Sequence, residues 1–153
     1  MVSLSFDASA TLAALKGFSR DFAEEIIDSI AGRLAGDIFK KAFANLSGQK
    51  IPKKDWRNSP LAGSFPVPVR TGNLRRSLDM IKPGGSGKYD VGHGEAYVLN
   101  SAAYAGVIED PSAFGWRGDK RPFLTGPAQE FLGKAPKYAE EELEKGIKKH
   151  GLE

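Results

Sequence analysis

The stretch that decides the fold is residues 12–46, LAALKGFSRDFAEEIIDSIAGRLAGDIFKKAFANL. Its apolar side chains recur at steps of three and four residues, the period of an amphipathic helix. A break near Gly17 and Ser19 would divide it into a short helix and a long one. The Ser47-Gly48 pair is expected to end the long helix, because glycine commonly follows the last helical residue. The periodic positions are Leu15, Phe18, Phe22, Ile26, Ile30, Leu34 and Ile38.

A second helix is expected over residues 127–150. Pro127 suits its first turn, where the missing N–H costs nothing. Pro136 is placed to break or restart this helix. Beyond it, apolar residues recur every four positions, with glutamates early and lysines late, which matches the helix dipole.

Short alternating runs predict β-strands at VSLSF (2–6), LDMIK (78–82), YDVGH (89–93) and AYVLN (96–100). The last three are separated by turns, as in an antiparallel meander. Residues 101–110 are small and apolar, and they fit either a last strand or a short helix. The predicted fold class is α+β, with a long N-terminal helix and a C-terminal helix packed on an antiparallel sheet of about four strands, and with long loop excursions.

The length of 153 residues fits a single domain over 1–153 with one core. Its predicted parts are a short strand plus long helix (1–46), a basic proline-rich excursion (47–70), a sheet (71–110), a loop (111–126) and the C-terminal helix (127–150). The absence of cysteine excludes disulfides, thiolate zinc sites and cysteine nucleophiles. With no signal-like N-terminus and no run of 18 apolar residues, a cytoplasmic product with no membrane partner is expected.

Charge is unevenly distributed along the chain. The net charge is +3, but residues 50–76 hold seven Lys and Arg against the single acid Asp55, which gives +6 there and −3 elsewhere. Such a segment is either a solvated loop or an attractor of nucleic acid or an acidic protein surface. Trp56 within it is either an anchor that folds the loop back or an exposed contact for a partner.

The sequence carries no motif that specifies catalysis. GGSGKY fails as a phosphate-binding loop, because Tyr89 follows Gly87-Lys88 and Lys82 stands where the first glycine is needed. His93 and His150 lack further donors at the spacing of a zinc site, and no serine triad is indicated. We therefore expect a protein that is not an enzyme, with no catalytic residue, no cofactor and no metal.

The residues of the segment RTGNLRRS can be explained by structural roles alone, without a bound ligand. Thr71 is placed to cap a short helix by accepting from a backbone N–H two or three residues later, and Gly72 keeps that turn uncrowded. Leu74 and Leu78 lie four residues apart and would enter a core. Arg75 is then available for a carboxylate. The candidate partners are Asp79, Glu95 and Glu109.

Three segments in order resemble the tail-component family of long-tailed bacteriophages and prophages: PVRTGNLRRSL, VGHGEAYVLNSAAYAGVIE and RPFLTGPA. Members of that family carry a P-x-x-TG-x-LR-x-S motif, a later YA-x-x-x-E segment and a closing RPFL-x-x-A before the last helix. The segments span about half of the chain. The matching residues are Pro68, Thr71, Gly72, Leu74, Arg75, Ser77, Tyr104, Ala105, Glu109, Arg121, Pro122, Phe123, Leu124 and Ala128.

The resemblance implies a structural virion protein at the neck or upper tail, assembled in the bacterial host cytoplasm. It would act in tail completion or head–tail joining as a ring of identical subunits, with a hexamer as one candidate size. Its partners would be copies of itself, neighbouring neck or tail proteins and, through non-specific contact, DNA in the channel. The chain departs from the family after Glu109, where Asp110-Pro111 replaces the usual Gly-Thr.

A ring contact needs two different surfaces on each subunit. The two loop excursions supply aromatic and arginine candidates for it, namely Trp56, Arg57, Phe114 and Trp116. Arg75, at the family's LR position, is assigned to Glu109, and Arg76 is left to face solvent, DNA or the next subunit. The alternative function is a small nucleic-acid-binding module that uses residues 50–76 for backbone contact and Trp56 for stacking.

Overall fold

The computed structural model describes residues 2–4, 15–50, 52, 54, 69, 71–84, 91–115 and 120–152. These residues form three strands, five α-helices and one 3₁₀ turn. The strands are β1 (Val2–Leu4), β2 (Leu78–Ile81) and β3 (Tyr97–Asn100). The helices are α1 (Arg20–Asn45), α2 (Asn73–Arg76), α3 (Ala105–Glu109), α4 (Thr125–Leu132) and α5 (Ala135–His150), and the 3₁₀ turn is Pro111–Phe114.

The chain folds into two compact units of opposite net charge. We call Met1–Leu4, Ile38–Asp79 and Val98–Gln129 the basic unit, because its segments contain 12 Lys and Arg against 5 Asp and Glu, a net charge of +7. We call Ser5–Asp37, Met80–Tyr97 and Glu130–Glu153 the acidic unit, because its segments contain 10 Lys and Arg against 14 Asp and Glu, a net charge of −4. The single domain expected over 1–153 stays a prediction.

The predicted long helix is present as α1, which has 26 residues. Ser19 caps it, since its Oγ accepts a hydrogen bond from the Phe22 N–H at 3.3 Å. The helix ends at Asn45, two residues before the predicted stop. Residues 12–14, where the preceding short helix was expected, lie outside the described residues.

The core of the acidic unit is the interface between α1 and α5. Buried side chains of α1 pack with Tyr138 and with partly buried Ala135, Leu143 and Ile147 of α5; those of α1 are Phe22, Ile26, Ile27, Ile30 and Leu34. Gly146 allows the close approach, because a Cβ there would overlap the Ile26 side chain. The Tyr138 hydroxyl donates to the Asp37 carboxylate at 2.6 Å, so the same interface also carries a polar contact.

The sheet has the order β1–β3–β2, and its β1–β3 pair is antiparallel with Val2 opposite Asn100 and Leu4 opposite Val98. The expected sheet of about four strands is not shown: the described residues contain three. Of the predicted strand 89–93, residues 89–90 lie outside the described residues, and 91–93 lie outside any strand. The reason is a turn, since Gly94 adopts a left-handed φ of 76° and its N–H bonds the Asp28 carboxylate at 2.7 Å.

The remaining helices refine the sequence predictions. Residues 101–110, which fitted a strand or a short helix, contain α3. The helix expected over 127–150 is two helices, α4 and α5, and Pro136 lies in the first turn of the second. In the part of the chain that the structure describes, no helix has both the length and the hydropathy needed to cross a membrane.

Candidate functional site

The carboxylate of Glu109 joins the second and third motif segments in the basic unit. Glu109 ends α3 and is only 6 % exposed. Its Oε1 accepts hydrogen bonds from the backbone N–H groups of Leu124 and Thr125, and its Oε2 accepts from the Thr125 hydroxyl at 2.7 Å. Helix α4 begins at Thr125, so Glu109 supplies from another helix the cap and the negative charge that a helix N-terminus favours.

Burial raises the pKa of Glu109 above its ordinary value, and the hydrogen bonds from Thr125 and Leu124 oppose that rise. The cause is the cost of holding a charge away from water. Three donors converge on this carboxyl group, which explains how a buried acid is accommodated here.

The RTGNLRRS segment is bonded to the strand and turn that lead into α3. The buried Asn100 donates from Nδ2 to the Leu74 carbonyl at 2.6 Å, and its Oδ1 accepts from the Ala102 N–H at 3.0 Å. The Ser101 N–H donates to the Ser77 carbonyl at 3.0 Å. The first two motif segments are therefore held together largely through backbone groups.

The hydrogen bond predicted for Thr71 is present, but the cap residue of α2 is Gly72, which has no side chain to cap the helix. The Thr71 hydroxyl accepts from the Asn73 N–H at 3.3 Å, and Gly72 adopts a left-handed φ of 77°. Leu78 is buried and Leu74 is half-buried, so both contribute to packing as expected. Asn73 Nδ2 reaches the hydroxyl of Tyr104 at 3.5 Å.

The RPFL segment is hydrogen-bonded to the second motif segment and to α1. The Arg121 N–H donates to the Ile108 carbonyl at 3.2 Å, and Asn45 Nδ2 donates to the Phe123 carbonyl at 3.3 Å. Phe123 and Leu124 are fully buried, while Arg121 and Pro122 are half-buried. The described matching residues of all three motifs therefore lie within the basic unit.

The predicted pairing of Arg75 with Glu109 is wrong. The Glu109 carboxylate is occupied by donors of Leu124 and Thr125, and the guanidinium of Arg75 lies over the ring of Phe43, 5.6 Å from its centroid. The cation is thus stabilised in part by an aromatic face. Arg76 is exposed, in line with its prediction.

Of the candidate interface residues, only Phe114 lies among the described residues; Trp56, Arg57 and Trp116 lie outside them, as does Pro68 of the first motif. Phe114 ends the 3₁₀ turn and is 57 % exposed. Its ring covers Gly106, where an added Cβ would come within 2.8 Å of Cζ.

The turn that carries Phe114 is built by the residues that depart from the family pattern. The Asp110 carboxylate accepts from the Ser112 N–H at 3.1 Å and forms an ion pair with Lys120 at 2.8 Å. Both interactions lower the pKa of Asp110, with Lys120 the larger cause. Asp110 therefore caps the 3₁₀ turn that ends at Phe114.

Among the described residues of the basic unit, three large aromatic residues are exposed by 41 % to 57 %: Phe43, Tyr104 and Phe114. Contacts connect them, since Arg75 lies over Phe43, Asn73 of the same short helix reaches Tyr104, and Gly106 of α3 underlies Phe114. We call these aromatic residues with Arg75 and Arg76 the aromatic–arginine face. Phe43 and Tyr104 were not among the predicted interface residues, because helical periodicity does not tell an exposed aromatic from a core one.

In the acidic unit, an acidic stripe on α1 lines an open groove with Lys82 and His93. The stripe consists of Asp21, Glu24, Glu25 and Asp28, spaced to share one helix face. His93 lies in a turn, although a strand was predicted over residues 89–93. Its Nδ1 is 2.7 Å from Asp28, and its Nε2 is 3.6 Å from Glu24. These two partners were not predicted, because they lie 65 and 69 residues away from His93 along the chain.

Charged side chains that line the groove are paired with one another or with the C-terminal end of α5. Asp28 is the largest cause of a raised pKa at His93, and Glu25 is bonded to Lys149 at 2.6 Å and to His150 at 2.9 Å. Over the described ranges, no three His, Asp or Glu side chains are grouped to hold a metal ion.

Comparisons with protein-family models, with curated proteins and with solved structures found no match. The tail-component resemblance accordingly stays a prediction.

Proposed function

We propose that this protein is a structural virion protein of a long-tailed phage or prophage. It acts at the neck or upper tail, in tail completion or head–tail joining, as an oligomeric ring. The observation that carries the proposal is that the three motif segments are hydrogen-bonded to one another in the basic unit: Asn100 joins the second segment to Leu74 of the first, and Glu109 joins it to Leu124 and Thr125 of the third. The motif residues then have a physical reason to occur together, namely the construction of this unit.

The geometry also favours recognition by a surface. The Glu109 carboxylate is occupied by donors of Leu124 and Thr125, while the aromatic residues Phe43, Tyr104 and Phe114 remain exposed. Aromatic residues and arginine are enriched at the centres of protein interfaces. A protein that works by assembly needs such a surface.

Electron microscopy of particles assembled without this protein tests the proposal. Lysates of a lysogen that lacks the gene would be compared with lysates of the same strain complemented by the wild-type gene. Separate filled heads and finished tails would indicate a joining role, and aberrant tails would indicate a completion role. Normal infectious virions without the protein would contradict the proposal.

A second function, binding to nucleic acid, is favoured by the +7 charge of the basic unit. Such binding would depend steeply on salt, because each phosphate contact releases counterions. Fluorescence anisotropy with generic duplex DNA over a salt series measures this slope. A steep slope in a protein that does not self-associate would favour this function over the structural one.

A further inference from the structure

The aromatic–arginine face combines the features of an unfilled docking surface. Single exposed apolar residues are normal on protein surfaces, but here Phe43, Tyr104 and Phe114 are connected through α2 and α3. Arg75, which lies over Phe43, and the exposed Arg76 of the same short helix add positive charge to α2. A partner that fits this face would present apolar side chains next to carboxylates.

The acidic unit of the same chain presents such a surface. Phe18 and Leu152 are 37 % and 50 % exposed there. The rings of Phe18 and Phe22 lie 4.9 Å apart, and the ring of His150 meets Phe22 edge-on at 5.4 Å. His150 Nε2 is 2.9 Å from Glu25, which is also paired with Lys149 at 2.6 Å, so the exposed apolar residues adjoin the acidic stripe through a paired carboxylate. Asp21, which precedes Glu25 on α1, is exposed. We call Phe18, Leu152, Asp21 and Glu25 the apolar–acidic end.

We propose that the aromatic–arginine face of one copy docks on the apolar–acidic end of a second copy. Charge complementarity supports this partner, since the face lies in the unit with net charge +7 and the end in the unit with net charge −4. The contact joins two different surfaces, so it is heterologous and leaves a free face and a free end for further copies. This inference rests on the proposed oligomeric function and names the surfaces that would form the contact.

A second copy fits the face better than nucleic acid does. Backbone recognition of DNA uses many dispersed cations, whereas this face has two arginines, one already over Phe43, among three aromatic rings. Lys120, close to Phe114 in sequence, is paired with Asp110. Apolar rings flanked by a few cations are better matched by an apolar surface flanked by acids.

A reciprocal charge exchange on the full-length protein tests the proposal. One variant carries Arg75→Glu and Arg76→Glu, and the other carries Asp21→Lys and Glu25→Lys. Sedimentation velocity should show self-association of the wild type that weakens with salt, and each variant alone should associate at least about tenfold more weakly, as expected for close like charges. An equimolar mixture should recover association, because each altered surface then meets its altered complement.

Matched control variants reverse the same number of charges at positions outside the two proposed surfaces. Lys50→Glu with Lys54→Glu alters exposed lysines of the basic unit outside the face, and Glu140→Lys with Glu144→Lys alters exposed acids of α5. Both controls should associate like the wild type, and thermal melting should confirm that every variant is folded. If the Arg75→Glu, Arg76→Glu variant does not fold, Phe114→Asp is used in its place. This single substitution should by itself weaken association.

The possible results test separately whether the protein self-associates and whether it does so through the named surfaces. Wild-type association that the exchanges leave unchanged, or a mixture that fails to recover, would overturn the named surfaces while leaving the oligomer intact. A wild type that stays monomeric at all concentrations would overturn the oligomer as well. Loss of duplex DNA binding in the Arg75→Glu, Arg76→Glu variant, with assembly unchanged, would assign the face to nucleic acid and contradict the proposal.

Discussion

At the residue scale, Glu109 shows what a sequence motif conveys and what it omits. Its importance was predicted from its place at the end of the YA-x-x-x-E segment, but its partner was not. The donors that hold it are 15 and 16 residues ahead, and two of them are backbone N–H groups, which carry no sequence signature. Asn100 was missed for the same reason, since its partners are the backbone groups of Leu74 and Ala102.

Replacing Glu109 with alanine should lower the free energy of unfolding by about 1–3 kcal/mol, because the buried N–H of Leu124 loses its acceptor. Glu109→Gln should cost less, since an amide oxygen still accepts hydrogen bonds. Urea denaturation of both variants gives the values. Glu140→Ala, an exposed change on α5, is the control, and equal stability of the Glu109→Ala protein would refute the capping role.

His93 should make stability depend on pH. The folded-state pKa is raised above the ordinary 6.5, chiefly by Asp28 and then by Glu24, while Arg20 opposes the rise. The stabilisation is therefore fully present below the unfolded pKa and is lost as pH rises through the folded pKa. Urea midpoints across this window, with an NMR titration of the ring, measure the effect. Asp28→Asn should reduce the shift, and an unshifted His93 pKa in the wild type would count against the ion pair.

At the element scale, periodic helices were predictable and the turn near His93 was not. Apolar residues at steps of three and four residues give α1 one apolar face, and this pattern is visible in the sequence of the helix itself. Residues 89–93 alternate like a strand, yet residues 91–93 lie outside any strand because Asp28, far away in sequence, holds the turn at His93 and Gly94. The alternation of apolar and polar residues within a short segment does not reveal a hydrogen-bond acceptor that lies on a distant helix.

The packing of α5 on α1 should be sensitive to the size of residue 146. Gly146→Ala should destabilise the protein by about 1–3 kcal/mol, because the added methyl group overlaps Ile26 and crowds Phe22. Gly36→Ala in α1 is the matched control, since nothing lies within 4 Å of its added Cβ. That control should raise stability by roughly 0.4–1 kcal/mol through a less flexible unfolded chain. Thermal denaturation that ranks the two variants in the opposite order would contradict this packing.

At the scale of the whole molecule, the division of charge between the two units is the main new feature. The sequence showed a basic segment at 50–76, but the segments of each unit are scattered along the chain, so only the fold reveals net charges of +7 and −4. Opposite charges on two surfaces speed and orient association between copies and make it sensitive to salt. Such a distribution suits a protein that assembles head to tail.

The most direct test of the central claim is immunogold electron microscopy of purified virions, with an antibody raised against this protein. Virions of an unrelated phage serve as the labelling control. The proposed function predicts gold at the junction of head and tail or along the upper tail. Purified infectious virions that contain no trace of the protein would contradict it.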